Sequence, residues 1–281
     1  MTTFVFAAVL FAAVCHASWN ALVKVALDPL SSTTLILCGA TVLALAAIPF
    51  FPVPAWASWP YLAASAVIHL LYFAALAEGY RTGDLSQVYP IARGTAPLMT
   101  AVAGTLIIGE HLNFLAWGGI VVLAVGVLLL SLKGGRDLAK LDTRAVGFAL
   151  FTAVTICAYT IVDGLGARLS GNPISYVLWG FFGICGCLLP YTLYRNGREF
   201  FVDVATFWPR GLVGGALQIV SFGVALWAMT LVPIAIVASL RETSVLFAAL
   251  IAVVLLGEPF RAIRIAAALL IVAGLAAIRL Q

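Results

Sequence analysis

Charge is what this chain has least of. Its 281 residues include 15 Lys and Arg and 11 Asp and Glu, so 9% are charged against 64% hydrophobic, and mean hydropathy is +1.14. No soluble core needs that much apolar surface, which excludes a water-soluble globular domain. Polar stretches are equally scarce, and the longest are too short to hold a soluble domain between the apolar runs. The five cysteines, Cys15, Cys38, Cys157, Cys185 and Cys187, lie inside those runs with no CxxC pair. A disulfide framework and a zinc site are therefore not expected, and the thiols read as small core residues. HExxH, GxSxG, a phosphate-binding glycine loop and an acidic pair with metal spacing are all missing, so no catalysis, metal or cofactor is expected. The net charge of +4 does not indicate nucleic acid, because the basic residues sit in short connections where Lys and Arg set membrane orientation. Residues 1–14 lack the basic start of a signal peptide and run on into a full-length span, which reads as an uncleaved first helix.

What is there is a succession of apolar segments at 4–25, 31–51, 59–80, 85–109, 112–132, 145–167, 174–194, 209–230, 233–256 and 261–280. Each is about 20 residues, the length that crosses a hydrocarbon core of about 30 Å. The expected class is an all-α integral membrane protein with ten transmembrane helices, multi-pass in the cell inner (plasma) membrane and with the lipid bilayer as its partner. The polar stretch at 133–144 divides it into residues 1–132 and 145–281, five spans each. A constant shift of 148 lays the fourth segment on the ninth, pairing Arg93 with Arg241, Thr95 with Thr243, Gly109 with Gly257 and Glu110 with Glu258. Five is odd, so the second half enters the membrane in the opposite sense. That is an inverted repeat, the arrangement that gives one central site two alternative openings. Counting Lys and Arg puts the odd-numbered loops in the cytoplasm and both termini outside.

Arg93 is the most informative residue. It lies eight positions into its segment, about 12 Å deep at 1.5 Å per residue, and Arg241 matches it in the inverted half. An intramembrane arginine costs about 2.5–3.5 kcal/mol on insertion scales and is retained where it faces a partner or a wet cavity. Two of them with one adjacent acid, Glu242, leave positive charge that an anionic solute could neutralise. The structural alternative has Arg93 bonding to carbonyls freed near Pro90 and Pro97, and Arg241 tied to an acid such as Asp163. Glu242 follows Arg241 directly, so on a helix it points about 100° away and need not pair with it. His16 and Asn20 share a helix face, as do His69 and Tyr72, and with Tyr89 they are candidates for the cavity wall. Plain helix-to-helix hydrogen bonding is the alternative for these. Glu78, Glu242 and Asp163 are candidates for coupling or gating, while Glu78, Arg81 and Asp84 also read as ordinary loop charges. Glu110 and Glu258 are expected to be structural, each capping the next helix.

The paired helix ends TLIIGEHLNFLAWGGIVVLAVGVLLL and ALIAVVLLGEPFRAIRIAAALLIVAGLAAI, in the two-times-five layout, resemble the EamA-type members of the drug/metabolite transporter superfamily. More narrowly, HASWNALVK, GDLSQVYPIARG and YTIVDGLGARLSGNP look like a subgroup associated with phosphonate utilisation. The resemblance covers nearly the whole chain. It implies a basket of ten helices around a central cavity, the fifth and tenth peripheral, with both termini cytoplasmic, the reverse of the charge count.

Together these readings point to a secondary active transporter that moves a small anionic or zwitterionic metabolite by alternating access, with the proton gradient as the expected energy source. Two rivals stay open. One is an exporter of amphipathic drugs or amino acids, with the arginines structural. The other is a membrane enzyme or assembly factor acting on lipid-linked phosphates.

Overall fold

In a computed structural model, residues 1–23, 28–82, 85–131, 143–256 and 262–280 are described. They form helices α1 (Thr3–Val23), α2 (Pro29–Ala47), α3 (Trp59–Thr82), α4 (Leu85–Ala103), α5 (Phe114–Ser131), α6 (Thr143–Leu169), α7 (Pro173–Asn196), α8 (Glu199–Met229), α9 (Ile234–Arg241), α10 (Ser244–Leu256) and α11 (Ala262–Arg279). No strand occurs among the described residues. Hydrocarbon offers no partner to backbone N–H and C=O groups, so a chain this apolar satisfies them within helices. Eight segments are long and apolar enough to cross a membrane: Thr3–Leu22, Pro29–Phe50, Trp56–Ala75, Ile91–Ile108, Val146–Leu169, Pro173–Asn196, Glu199–Met229 and Ile234–Ile251. Phe114–Leu130 is apolar but shorter.

Helix starts follow from local chemistry. Asp28 accepts from Leu30 N and Ser31 N ahead of α2, and Asn172 accepts from Ile174 N and Ser175 N ahead of α7, with Pro29 and Pro173 next in each case. The acceptor satisfies otherwise orphaned N–H groups, and proline sits where its missing N–H costs nothing. The two starts read Asp-Pro-Leu-Ser and Asn-Pro-Ile-Ser.

Two boundaries differ from the sequence reading. The eighth segment begins at Glu199 rather than at 209, with Pro209 inside the helix, so Arg210 lies in α8 and not in a loop. The ninth is broken: α9 ends at Arg241 and α10 begins at Ser244. Across the break Glu242 N bonds Ser239 O, Thr243 N bonds Leu240 O and Val245 N bonds Glu242 O, so the helix tightens to three-residue spacing over one turn.

Burial is inverted relative to a soluble protein. Phe114 (92% exposed), Leu106 (79%) and Phe4 (72%) face outward, whereas Asp163, Arg93, Glu242, Ser239 and Thr243 are buried. That pattern is stable only where the surroundings are themselves apolar. Inside, α8 packs on α1 and α2, α6 on α3 and α4, α2 on α7, and α5 on α11. Glycines set the closest approaches. At Gly39 an added Cβ would collide with the Gly211 carbonyl, and at Gly274 it would lie 2.7 Å from Gly119 O, so these helices touch backbone to backbone. The α2–α7 contact is a polar seam: the Thr34 and Thr192 hydroxyls are 2.7 Å apart, the Cys38 and Cys185 sulfurs 3.8 Å apart, and Thr41 Oγ1 donates to Phe181 O. Arg279 donates to Met1 O and Thr3 Oγ1, which puts both ends of the chain on one face.

Candidate functional site

The break between α9 and α10 is where the charge collects. Arg241 ends α9, and Glu242, in the tight turn, is swung away from it toward α4. There Glu242 Oε2 lies 3.2 Å from Arg93 Nε, and both side chains are almost wholly buried. Arg93 Nη2 also donates to His16 Nε2 of α1 at 2.9 Å and to Ser244 Oγ of α10 at 3.2 Å. Accepting at Nε2 requires the neutral ring to carry its proton on Nδ1. The His16 ring in turn meets Trp19 edge-on at 5.1 Å. Among the described residues Arg93 is thus paired with an acid and held from α1, α10 and the α9 break.

Arg241 has a different environment. Among the described residues it makes no hydrogen bond and no ion pair; its Nε is buried without a partner, and its guanidinium lies 5.7 Å from the centre of the Phe222 ring of α8. A cation over an aromatic face gains about 0.5–2 kcal/mol, which does not satisfy its donors. Arg93, Arg241 and Glu242 line one small cavity with Ala96, Pro97 and Thr100 of α4, Ile156, Tyr159 and Thr160 of α6 and Ala238 of α9. Its water-accessible volume is about 10 Å³, room for roughly one water. The ion pair leaves little free space in the site.

Behind the cavity stands an aromatic wall. His69 stacks on Tyr159 at 4.3 Å and meets Phe222 edge-on at 6.2 Å, and Tyr72 meets Tyr159 at 5.8 Å. His69 Nδ1 lies 2.9 Å from Ser65 O, one turn back along its own helix. Asp163, four residues past Tyr159, is 1% exposed. Its Oδ1 accepts from Tyr176 of α7 at 3.0 Å, and its Oδ2, with the Ser65 hydroxyl of α3 near the carboxylate, makes no hydrogen bond within 3.5 Å among the described residues. The tie between Asp163 and Arg241 that the structural alternative called for is not formed among the described residues.

Arg93, Arg241, Glu242 and His16 come together at the centre, with His69 and Tyr72 in the wall behind. Asn20 does not join them, because its amide donates to the His16 carbonyl along its own helix. The side chains of Tyr89 and Glu78 lie outside the described residues, as does Glu258. Sequence reasoning missed Tyr159, Thr160, Thr100, Phe222 and Ser244. Tyr159 and Thr100 were findable, since they share helix faces with Asp163 and Arg93 at spacings of four and seven.

Glu110 is a correction. Rather than capping α5, whose Ala116 N is taken by Asn113, it reaches the start of α9. Its carboxylate accepts from Ile234 N at 2.8 Å, Ala235 N at 3.4 Å and Arg168 Nη2 at 2.7 Å. Arg168, at the end of α6, also donates to Met229 O and Val232 O in the turn between α8 and α9. Proline at position 233 leaves the first α9 donors unfilled, and an acid there also meets the positive end of the helix. Four segments are thus tied at one face, the face that carries the chain ends.

The sequence pattern of EamA-like transporters matches twice, over residues 3–132 and 143–280. The chain belongs to the EamA-like transporter family. It is a multi-pass membrane protein, and its family is one of small-molecule transporters, which points to transport rather than catalysis. Over 78 residues it is 36% identical to an uncharacterized transporter in the cobO 3' region of Sinorhizobium sp. That match takes in 26% of this chain and 52% of the relative, so the chain spans about half the relative's length. A protein crystal structure aligns over 100% of this chain and 99% of its own, with a TM-score of 0.75 and 18% identity, which establishes the fold alone.

Proposed function

We propose that this chain is a secondary active transporter that carries a small anionic or zwitterionic metabolite across the membrane by alternating access. The observation that carries the reading is Arg241: a cation in a central cavity, at the end of a broken helix, with no acid or acceptor bonded to it among the described residues. An anion at that position would supply the missing acceptors, and a guanidinium matches carboxylate and phosphonate oxygens two at a time. Arg93, held by Glu242, His16 and Ser244, then acts as the fixed wall of the clamp.

The alternating-access part draws on the repeat. We read ten spans as two inverted five-helix units, residues 1–132 and 145–281, joined by 133–144. Support comes from the matching starts of α2 and α7, and from the pairing of α1 with α8 and of α3 with α6, first helix on third in both crossings. Self-pairing of the last helices, α5 and α11, points the same way. The Glu110–Arg168 tie joins α6 to the start of α9 at one face, the kind of contact that a state closed on that side would use. An amphipathic cargo remains the second reading, favoured by the aromatic wall of His69, Tyr159 and Phe222.

Uptake of labelled inorganic phosphate, methylphosphonate, succinate and glutamate into proteoliposomes tests the clamp, with Arg241→Gln as the variant. An anion carried by the wild type and lost in the folded variant is the expected result. Anion uptake that survives the substitution, or none in the wild type, rejects the clamp in favour of amphipathic cargo.

A further inference from the structure

The central charges cancel in number, but one of the two acids does not sit on a cation. Among the described residues, four ionisable groups lie around Tyr159 within electrostatic reach: Arg93 of α4, Asp163 of α6, and Arg241 and Glu242 at the α9 break. The titratable groups facing them are His16 of α1, His69 of α3 and Tyr176 of α7, with Tyr61 of α3 behind Tyr176. Arg93 and Glu242 cancel as a pair. That leaves Arg241 and Asp163, which share the site without forming an ion pair, each with a buried atom that has no hydrogen-bond partner among the described residues. A carboxylate 1% exposed with no cation within ion-pair distance is costly, whereas a carboxylic acid needs only ordinary hydrogen bonds.

We propose that Asp163 is the site of a coupling proton, and that proton and anion bind together and leave together. This rests on Arg241 being the anion site. Two states of the cluster are neutral. In one, Asp163 carries a proton and a monoanion sits on Arg241; in the other, both have gone and the Asp163 carboxylate closes onto the Arg241 guanidinium. The two mixed states are charged: protonated Asp163 without anion leaves +1, and ionised Asp163 with the anion leaves −1. Moving an unbalanced charge through the low-dielectric middle of the protein is penalised, so only the neutral states change sides at an appreciable rate. The proton enters Asp163 Oδ2 from water on one side and returns to water on the other, one per monoanion and in the same direction.

The test uses the full-length protein in proteoliposomes with a pH-sensitive dye in the lumen, the membrane potential clamped to zero, and an inward gradient of whichever panel anion is carried fastest. Wild-type protein should acidify the lumen as the anion enters, and a proton gradient should accumulate the anion. Asp163→Asn mimics the permanently protonated acid. It should keep anion-for-anion exchange within about threefold of wild type while gradient-driven accumulation falls at least tenfold, because the empty, charged carrier cannot return. A lumen that stays neutral during wild-type anion entry overturns the proposal without any variant, and so does Asp163→Asn with accumulation intact. Either result leaves the anion clamp standing if Arg241→Gln still abolishes uptake. If the wild type carries no anion of the panel, clamp and coupling fall together.

Discussion

Arg93 and Arg241 hold matching places in the two halves of the chain, yet one is packed and the other is left waiting. Arg93 has an acid, an imidazole and a hydroxyl around it; Arg241 has an aromatic ring and a cavity. The difference comes from one turn of backbone. Tightening at Glu242–Thr243 directs the only acid of the α9–α10 turn across to α4, so the repeat that supplies two arginines also supplies one counter-ion, to one of them. A pair of arginines matched in sequence is thus asymmetric in charge, and on the proposed reading that asymmetry is what an incoming anion would meet.

The comparison breaks most severely through Glu242. Glu242→Gln leaves Arg93 buried without its counter-ion and should destabilise the protein by about 3–5 kcal/mol, the typical result of removing one partner of a buried pair. Thermal unfolding in detergent measures it, and adding Arg93→Gln to the same protein should restore much of the loss. Arg241→Gln breaks no ion pair, so unfolding should barely move while anion affinity falls roughly 10- to 100-fold, the worth of about 1.5–3 kcal/mol of charged hydrogen bonding. Unfolding and uptake on the same preparation separate the two arginines. A smaller effect is expected from Glu110→Gln, which weakens the tie that fixes the start of α9 and hence the position of Arg241. It should cost about 1–3 kcal/mol, as for a buried group losing a charged partner, and hydrogen exchange should rise first at Ile234 and Ala235. Ser244→Ala removes one of several Arg93 contacts and should shift stability by about 0.5–1.5 kcal/mol with anion affinity unchanged. Altered affinity in Ser244→Ala would mean that Arg93 too binds the cargo directly.

Much of this was readable before any coordinates. Runs of apolar residues set the spans, and an arginine in such a run stands out because hydrocarbon does not tolerate it idle. Partners were harder to read, because they are chosen by packing between distant segments. Glu110 and Ile234 are 124 positions apart, and Arg93 and Ser244 are 151 apart. The place of Glu242 was half legible: a helix turns it away from Arg241, but only the break carries it to Arg93. Pro209 misled the reading of α8, since proline is favoured in a first turn yet here has ten helical residues of α8 ahead of it, beginning at Glu199. The shared starts of α2 and α7 passed unnoticed because they follow a shift of 144 rather than the 148 that aligns the arginine helices.

The glycine crossing of α5 and α11 bears on where such a molecule can bend. A Cβ at Gly119 would lie 2.9 Å from Gly274 O, and one at Gly274 would lie 2.7 Å from Gly119 O, so neither helix can turn or slide without backbone striking backbone. The pair is a keel. It ties the last helix of each half to the other with no charge at the crossing, and under the proposed mechanism rearrangement of the central site falls to the helices that the keel leaves free.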